Sequence, residues 1–259
     1  ACFLFTTSCS DFLDEEHKTK YSSEYVFGTP EGLKLAVNAL YALQRYYAND
    51  TENATIFALE RGTDLAVTNG GTGNFYGIYD PNYLKPSASQ VGFMWRTMYQ
   101  IIGKANEIIA AAEDLEDTPS LRATVSEAKC FRAQSYFLLY RTFDRIWLNI
   151  QPTTAENVND PRDFHAASEK EVFDLIYEDL EYAITNLDWV SDEAGRFTQA
   201  AARHMKAKAA LWLKDWDTTL EQVEEIEKSG HFDLIALNEV FNAGDLNHKE
   251  ALMVQQWRK

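Results

Sequence analysis

The sequence predicts a mainly α-helical protein whose helices pack in pairs, interrupted by one long irregular loop and ending on a short strand. Three observations carry that prediction. Apolar residues recur at steps of three and four through most of the chain, as one buried face of a helix requires. The helical runs open on Thr-Pro or Ser signals, and one of them closes on glycine. Glycines crowd a single stretch between the first two long helical runs. With 259 residues, 46% hydrophobic and 13% aromatic, the chain can bury a sizeable core.

The first long helix is read from "TPEGLKLAVNALYALQRYY", where Thr29 caps, Pro30 takes the first helical position and Leu33, Val37, Leu40 and Tyr41 share a face. In "VGFMWRTMYQIIGKANEIIAAAEDL", Trp95, Met98, Ile102, Ala105, Ile109 and Ala112 form a second amphipathic stripe. A third helix starts after Thr118-Pro119, runs through Val125, Ala128 and Leu139, and breaks near "DRIWLNIQP". Beyond a polar loop holding Pro152 and Pro161, Ser168 and Glu171 stand in capping-box register ahead of Val172, Leu175, Ile176, Ala183 and Leu187.

The stretch "TQAAARHMKAKAALWLKDWDTTLEQVEEIEKSG" predicts two helices meeting at Lys-Asp-Trp. Ala202, Ala209 and Ala210 allow close approach in the first, Trp216, Leu220, Val223 and Ile226 face inward from the second, and Gly230 ends it. This pair resembles a tetratricopeptide repeat, whose stacked helix pairs share a continuous core and leave a concave face for partners. Trp216 is thereby expected in the core. "KEALMVQQW" has the composition of a short strand, Ala251 to Trp257, and a core strand at that point implies a longer chain.

Forty acidic against 24 basic residues give a formal net charge of −16, with no Lys/Arg-rich segment. That field disfavours nucleic acid and anionic lipid headgroups and suits a neutral ligand. The three cysteines, Cys2, Cys9 and Cys130, have neither zinc-site nor disulfide-framework spacing. Cys130 lies in helical, apolar surroundings and reads as a buried thiol. The five histidines, His17, His165, His204, His231 and His248, show no metal-ligand spacing. Neither a cofactor motif nor a Gly-x-Ser-x-Gly elbow is present, so no cofactor, metal or catalytic group is expected.

Two stretches stand apart from the helices. In "ACFLFTTSCSDFLDEE", a short apolar and small-residue run precedes Cys9 and an acidic tract follows it. Bacterial lipoprotein signals end in this way before the cysteine that is lipidated; the alternative is an ordinary apolar N-terminal segment. The second stretch, Glu60 to Val91, holds Gly62, Gly70, Gly71, Gly73 and Gly77 with rings at Phe75, Tyr76, Tyr79 and Tyr83. It is too long for an idle connection, and its glycines do not complete a phosphate-binding loop. Rings among Asp64, Asn69 and Asn74 suit a sugar: an aromatic face packs on the C–H face of a pyranose while amides and carboxylates take the hydroxyls. The alternative is tyrosines that pack on the helices beneath.

"SCSDFLDEE", "WRTMYQIIGKANEII", "EAKCFRAQSYFLLYRTF", "VFDLIYEDLEYAITNL", the Lys-Asp-Trp pair and "KEALMVQQW" stand in an order and spacing that resembles the SusD/RagB-like outer-membrane nutrient-binding lipoproteins of Bacteroidota. The resemblance covers nearly the whole chain. It implies a surface lipoprotein anchored in outer-membrane lipid through Cys9, with residues 1–9 the end of a signal and residues 10–259 the family's N-terminal helical domain. It also implies capture of oligosaccharides and delivery to a TonB-dependent outer-membrane transporter; the family's ligand commonly lies near the region that here holds Asp64, Asn69, Asn74, Phe75, Tyr76, Tyr79 and Tyr83, none of which matches a fixed binding motif. Two departures matter. Asp144 and Trp147 stand in "TFDRIWLN" where the family's turn has Gly and Pro, and family chains continue well beyond residue 259.

Two other classes compete. A helical glycoside hydrolase needs a carboxylate pair; Glu60 with Asp64, or Asp179 with Glu181, are the available pairs, and each reads more readily as a solvated face. A repeat scaffold that binds only protein would leave the tyrosine-rich segment without a sugar.

Overall fold

The computed structural model describes residues 22–48, 89–143, 145–161, 164–240 and 248–254. Eight helices lie within them: α1 Ser23–Gly28, α2 Pro30–Ala48, α3 Ser89–Ala112, α4 Pro119–Thr142, α5 Glu169–Asn186, α6 Gln199–Leu213, α7 Trp216–Lys228 and α8 Leu237–Val240. The predicted caps are where the sequence places them. The Thr29 hydroxyl accepts from the Gly32 amide at 3.1 Å, Thr118 caps α4 with Pro119 behind it, and Ser168 with Glu171 completes a capping box on α5. Gly32 also has a packing role: a methyl group there would lie 2.3 Å from the Tyr25 carbonyl oxygen of α1.

Each long helix packs on the next, α2 on α3 and α4, α3 on α4, then α4 on α5, α5 on α6 and α6 on α7. That succession is how helix-pair repeats build one continuous core. The core takes Leu33, Val37 and Leu40 from α2, Met98, Ile102 and Ala105 from α3, and Phe131, Tyr136 and Leu139 from α4. Val172, Ile176 and Ala183 of α5 and Ala202 and Ala209 of α6 extend it. Cys130 is fully buried, and burial pushes its thiol well up from the usual value, as the reading of an inert core thiol requires.

The α6–α7 turn departs from expectation in one respect. The two helices meet at Lys-Asp-Trp as predicted, with Asp215 capping α7, yet Trp216 is 57% exposed and Leu220 60%, with only Ile226 of the predicted inward set buried. Helical spacing identifies residues that share a face; it does not say whether anything covers that face. Here α6 is the one helix packed closely on α7 among the described residues. Lys214, which joins the two, has φ 61° and ψ 26°, a left-handed conformation that glycine adopts at less cost than lysine. Lys214→Gly is expected to raise stability by about 0.5–1 kcal/mol, read as a higher thermal midpoint; a lower midpoint would refute it.

The predicted C-terminal strand is not formed among the described residues. Residues 248–254 meet the segment before α8 through one backbone bond, Asp233 N to Lys249 O at 3.2 Å, and one side-chain bond, Ile235 N to the Glu250 carboxylate. A strand needs a ladder of such backbone bonds, and one does not make it. Residues 255–257 of that segment lie outside the described residues.

Candidate functional site

The segment after α4 supplies the most distinctive surface. Residues 145–150 form neither helix nor strand, and two tyrosines on adjacent helices bond their backbone. The Tyr99 hydroxyl accepts from the Trp147 amide at 2.9 Å and donates to the Trp147 carbonyl at 2.8 Å. Two residues on, the Tyr136 hydroxyl accepts from the Asn149 amide at 2.7 Å and donates to its carbonyl at 2.9 Å. Two phenols, one on α3 and one on α4, thus each satisfy both backbone groups of one residue, Trp147 and Asn149. Burial pushes both phenols up from their ordinary value, with the bonds to Trp147 and Asn149 working the other way. Both therefore stay neutral hydroxyls, able to donate and accept at once.

A buried ionic cluster backs this edge. The Asn106 amide donates to the Asn149 carbonyl at 2.7 Å, and its oxygen accepts from Arg132 at 2.8 Å. Arg132 in turn grips Asp179 with two parallel bonds of 2.7 and 2.8 Å, and Lys129 adds a third at 2.7 Å. Asp179 is 0% exposed. The reading of Asp179 and Glu181 as a solvated pair is thus corrected. Asp179 points inward onto two cations, whereas Glu181 is exposed and bonds Lys206. They do not form a pair able to straddle a substrate.

On this edge stands a line of half-buried rings leading to solvent. Trp95 and Tyr99 meet at 4.8 Å between centroids, Tyr99 stacks on Trp147 at 6.4 Å, and Trp147 meets Phe164 at 4.9 Å. Phe164 is 69% exposed. The loop that carries it closes at its base through the Ala167 amide on the Ile146 carbonyl at 2.8 Å. Sequence reasoning missed these rings, because "DRIWLNIQP" signals a helix break and nothing in its spacing reveals the tyrosines that hold it.

Asp64, Asn69, Asn74, Phe75, Tyr76, Tyr79 and Tyr83 lie outside the described residues, as do Cys9 and Asp144. The structure does describe both flanks of the tyrosine-rich segment. It leaves α2 at Ala48 and joins α3 at Ser89, where Tyr46 and Tyr47 pack on Phe93 at 5.7 and 6.1 Å. Trp95, the inner end of the ring line, is less than two turns into α3 from that junction. Among the described residues no group of three or more His, Cys, Asp or Glu side chains is arranged to hold a metal. No described helix is long and apolar enough to cross a membrane.

A solenoid of helix pairs that presents rigid aromatic rings on a side-chain-clamped loop defines a helical-repeat scaffold with a ring surface. The family model described as "Starch-binding associating with outer membrane" matches residues 11–211, and the chain belongs to this SusD-like family. A SusD-like protein of Bacteroides ovatus is 25% identical, over 98% of this chain and 48% of the relative. One from Formosa agariphila is 26% identical, over 88% and 44%. The chain therefore spans about half the length of the relatives it matches.

Solved structures share the fold. A laminarin-binding SusD-like protein superposes with a TM-score of 0.73 at 22% identity, over 86% of this chain and 50% of that one. A protein crystallised with a xylogluco-oligosaccharide gives a TM-score of 0.70 at 22% identity, over 87% and 46%.

Proposed function

We propose that this chain contributes the scaffold and part of the ligand surface of a cell-surface glycan-binding lipoprotein. In this reading it captures oligosaccharides and passes them to a TonB-dependent outer-membrane transporter, and Cys9 is the lipidated residue that anchors it. It acts by binding and release, without bond cleavage. The observation that carries the reading is the Trp147–Phe164 pair, a half-buried indole held by Tyr99 against an exposed ring. Rings fixed before binding lose little entropy when a sugar stacks on them. Two proteins of the same fold, one laminarin-binding and one crystallised with a xylogluco-oligosaccharide, support the ligand class.

Affinity electrophoresis against a panel of neutral polysaccharides tests it. A stacked ring is worth about 0.5–1.5 kcal/mol beyond its buried area, so Phe164→Ala should weaken binding roughly 2- to 10-fold, and Tyr76→Ala, Tyr79→Ala and Tyr83→Ala should do likewise. Circular dichroism checks that each variant folds. If all four migrate as the parent does in every gel that retards it, the glycan surface is elsewhere. Loss of radiolabelled palmitate in Cys9→Ala tests the anchor separately.

A further inference from the structure

The open side of the α6–α7 hairpin is a surface that glycan capture does not use. Two residues, Lys214 and Asp215, join the helices, so the pair runs antiparallel. Gln222 and Ile226 of α7 are buried, and the Gln222 side-chain oxygen accepts from Arg203 of α6 at 2.8 Å, which fixes the faces the two helices turn to each other. Centred about 100° round from that face, α7 exposes Trp216, Leu220 and Val223 as one stripe. Centred about 100° round from Arg203, α6 exposes His204, Lys208 and Leu211, the last at 51%. In two right-handed helices running antiparallel, equal rotations of this kind lead to the same side of the pair.

The hairpin therefore presents one apolar floor, made of Leu211, Trp216, Leu220 and Val223. Lys208 stands along its α6 edge. Along its α7 edge, opposite the side that meets α6, stand Asp217 and Glu224, both exposed. Glu224 also bonds Lys228 at 3.1 Å, an exposed pair of the kind that contributes little. A face that is apolar in the middle, cationic on one edge and anionic on the other is complementary to itself. A two-fold axis parallel to the helices carries each edge onto the opposite edge of a second copy; an axis across them would set like charge on like.

We propose that this face joins two copies of the chain, α6 of each lying on α7 of the other, with Leu211 against Trp216 and Leu220 and with Lys208 beside Glu224. Such an interface is isologous, so every contact is made twice. The apolar floor supplies the attraction, because exposed ion pairs are weak, and the charged edges select the orientation. Two chains of net charge −16 repel one another, but physiological salt screens that repulsion beyond about 8 Å. A face two helices wide and about 20 Å long is small for a specific interface, so the dimer dissociates at micromolar concentrations.

Sedimentation velocity on the 259-residue chain at physiological ionic strength tests it. A reversible monomer–dimer equilibrium is expected between about 1 and 200 µM. Leu220→Asp, at an exposed position, should weaken association at least about tenfold by setting a charge in the apolar floor, while circular dichroism shows the helices retained. Lys208→Glu should weaken it by roughly threefold to tenfold, and Lys208→Glu combined with Glu224→Lys should return it to the parent's value. A chain that stays monomeric across the range overturns the proposal and leaves the face to another occupant. A dimer that Leu220→Asp leaves undiminished overturns it too, since another surface then joins the copies. So does a dimer that the exchange of charges fails to restore. The polysaccharide gels read rings on a different loop, so either result there leaves this test standing.

Discussion

Asp179→Ala is expected to destabilise the protein by roughly 3–5 kcal/mol, the cost of leaving a buried charge without its partner. Asp179 is fully buried and receives bonds from Lys129 and from Arg132 twice. Removing it strands two buried cations, one of them 4% exposed as a residue. The loss should spread to the ring-bearing edge, because Arg132 also holds the Asn106 oxygen whose amide fixes the Asn149 carbonyl. Urea unfolding would give the stability change, and hydrogen exchange at residues 146–151 would show the loosened edge. Replacing Arg132 and Asp179 together by apolar residues of similar volume should cost less than the single change, since no lone charge remains. An Asp179→Ala loss below about 1 kcal/mol would mean that water reaches the cluster.

Phe131→Ala should cost about as much, roughly 3–5 kcal/mol, whereas Trp216→Ala should cost no more than about 1 kcal/mol. Phe131 is 1% exposed and meets Tyr41 and Phe197 edge-on at 4.7 and 4.9 Å. Its removal leaves a cavity where the Tyr41 and Phe197 rings met it, which packed surroundings close only in part. Trp216 keeps more than half of its surface in water, so truncating it forfeits little burial. Paired denaturation curves decide the matter: if the Trp216 variant lost more than the Phe131 variant, α7 would be covered in solution in a way the described residues do not show.

That reversal marks what the sequence could and could not convey. Caps such as Ser168 with Glu171 and Thr118 before Pro119 are local chemistry, written within four residues, and they were legible. The stripes of α2 and α3 were legible because a helix's own geometry sets their period. Whether the stripe of α7 is covered depends on distant parts of the chain, and no spacing reports that. Asp179 sits among Glu178 and Glu181 in a run that reads as solvated; only the arrival of Arg132, 47 residues away in sequence, makes it a buried anion. The edge at Trp147 was hidden for the same reason, since Tyr99 is 48 positions distant. The glycine- and tyrosine-rich segment was legible as unusual in composition, and its sugar-binding reading rests on chemistry that the variants at Tyr76, Tyr79 and Tyr83 will test.

The link from Asn106 through Arg132 to Asp179 also constrains descent. A lineage that loses the carboxylate at 179 must shed the guanidinium at 132 in nearly the same step, or pass through an intermediate carrying a stranded charge. The amide at 106 then loses the donor that orients it, and the carbonyl at 149 needs another partner. Positions 106, 132 and 179 should therefore change together across the family or not at all, while the exposed Phe164 at the far end of the same loop remains free to vary.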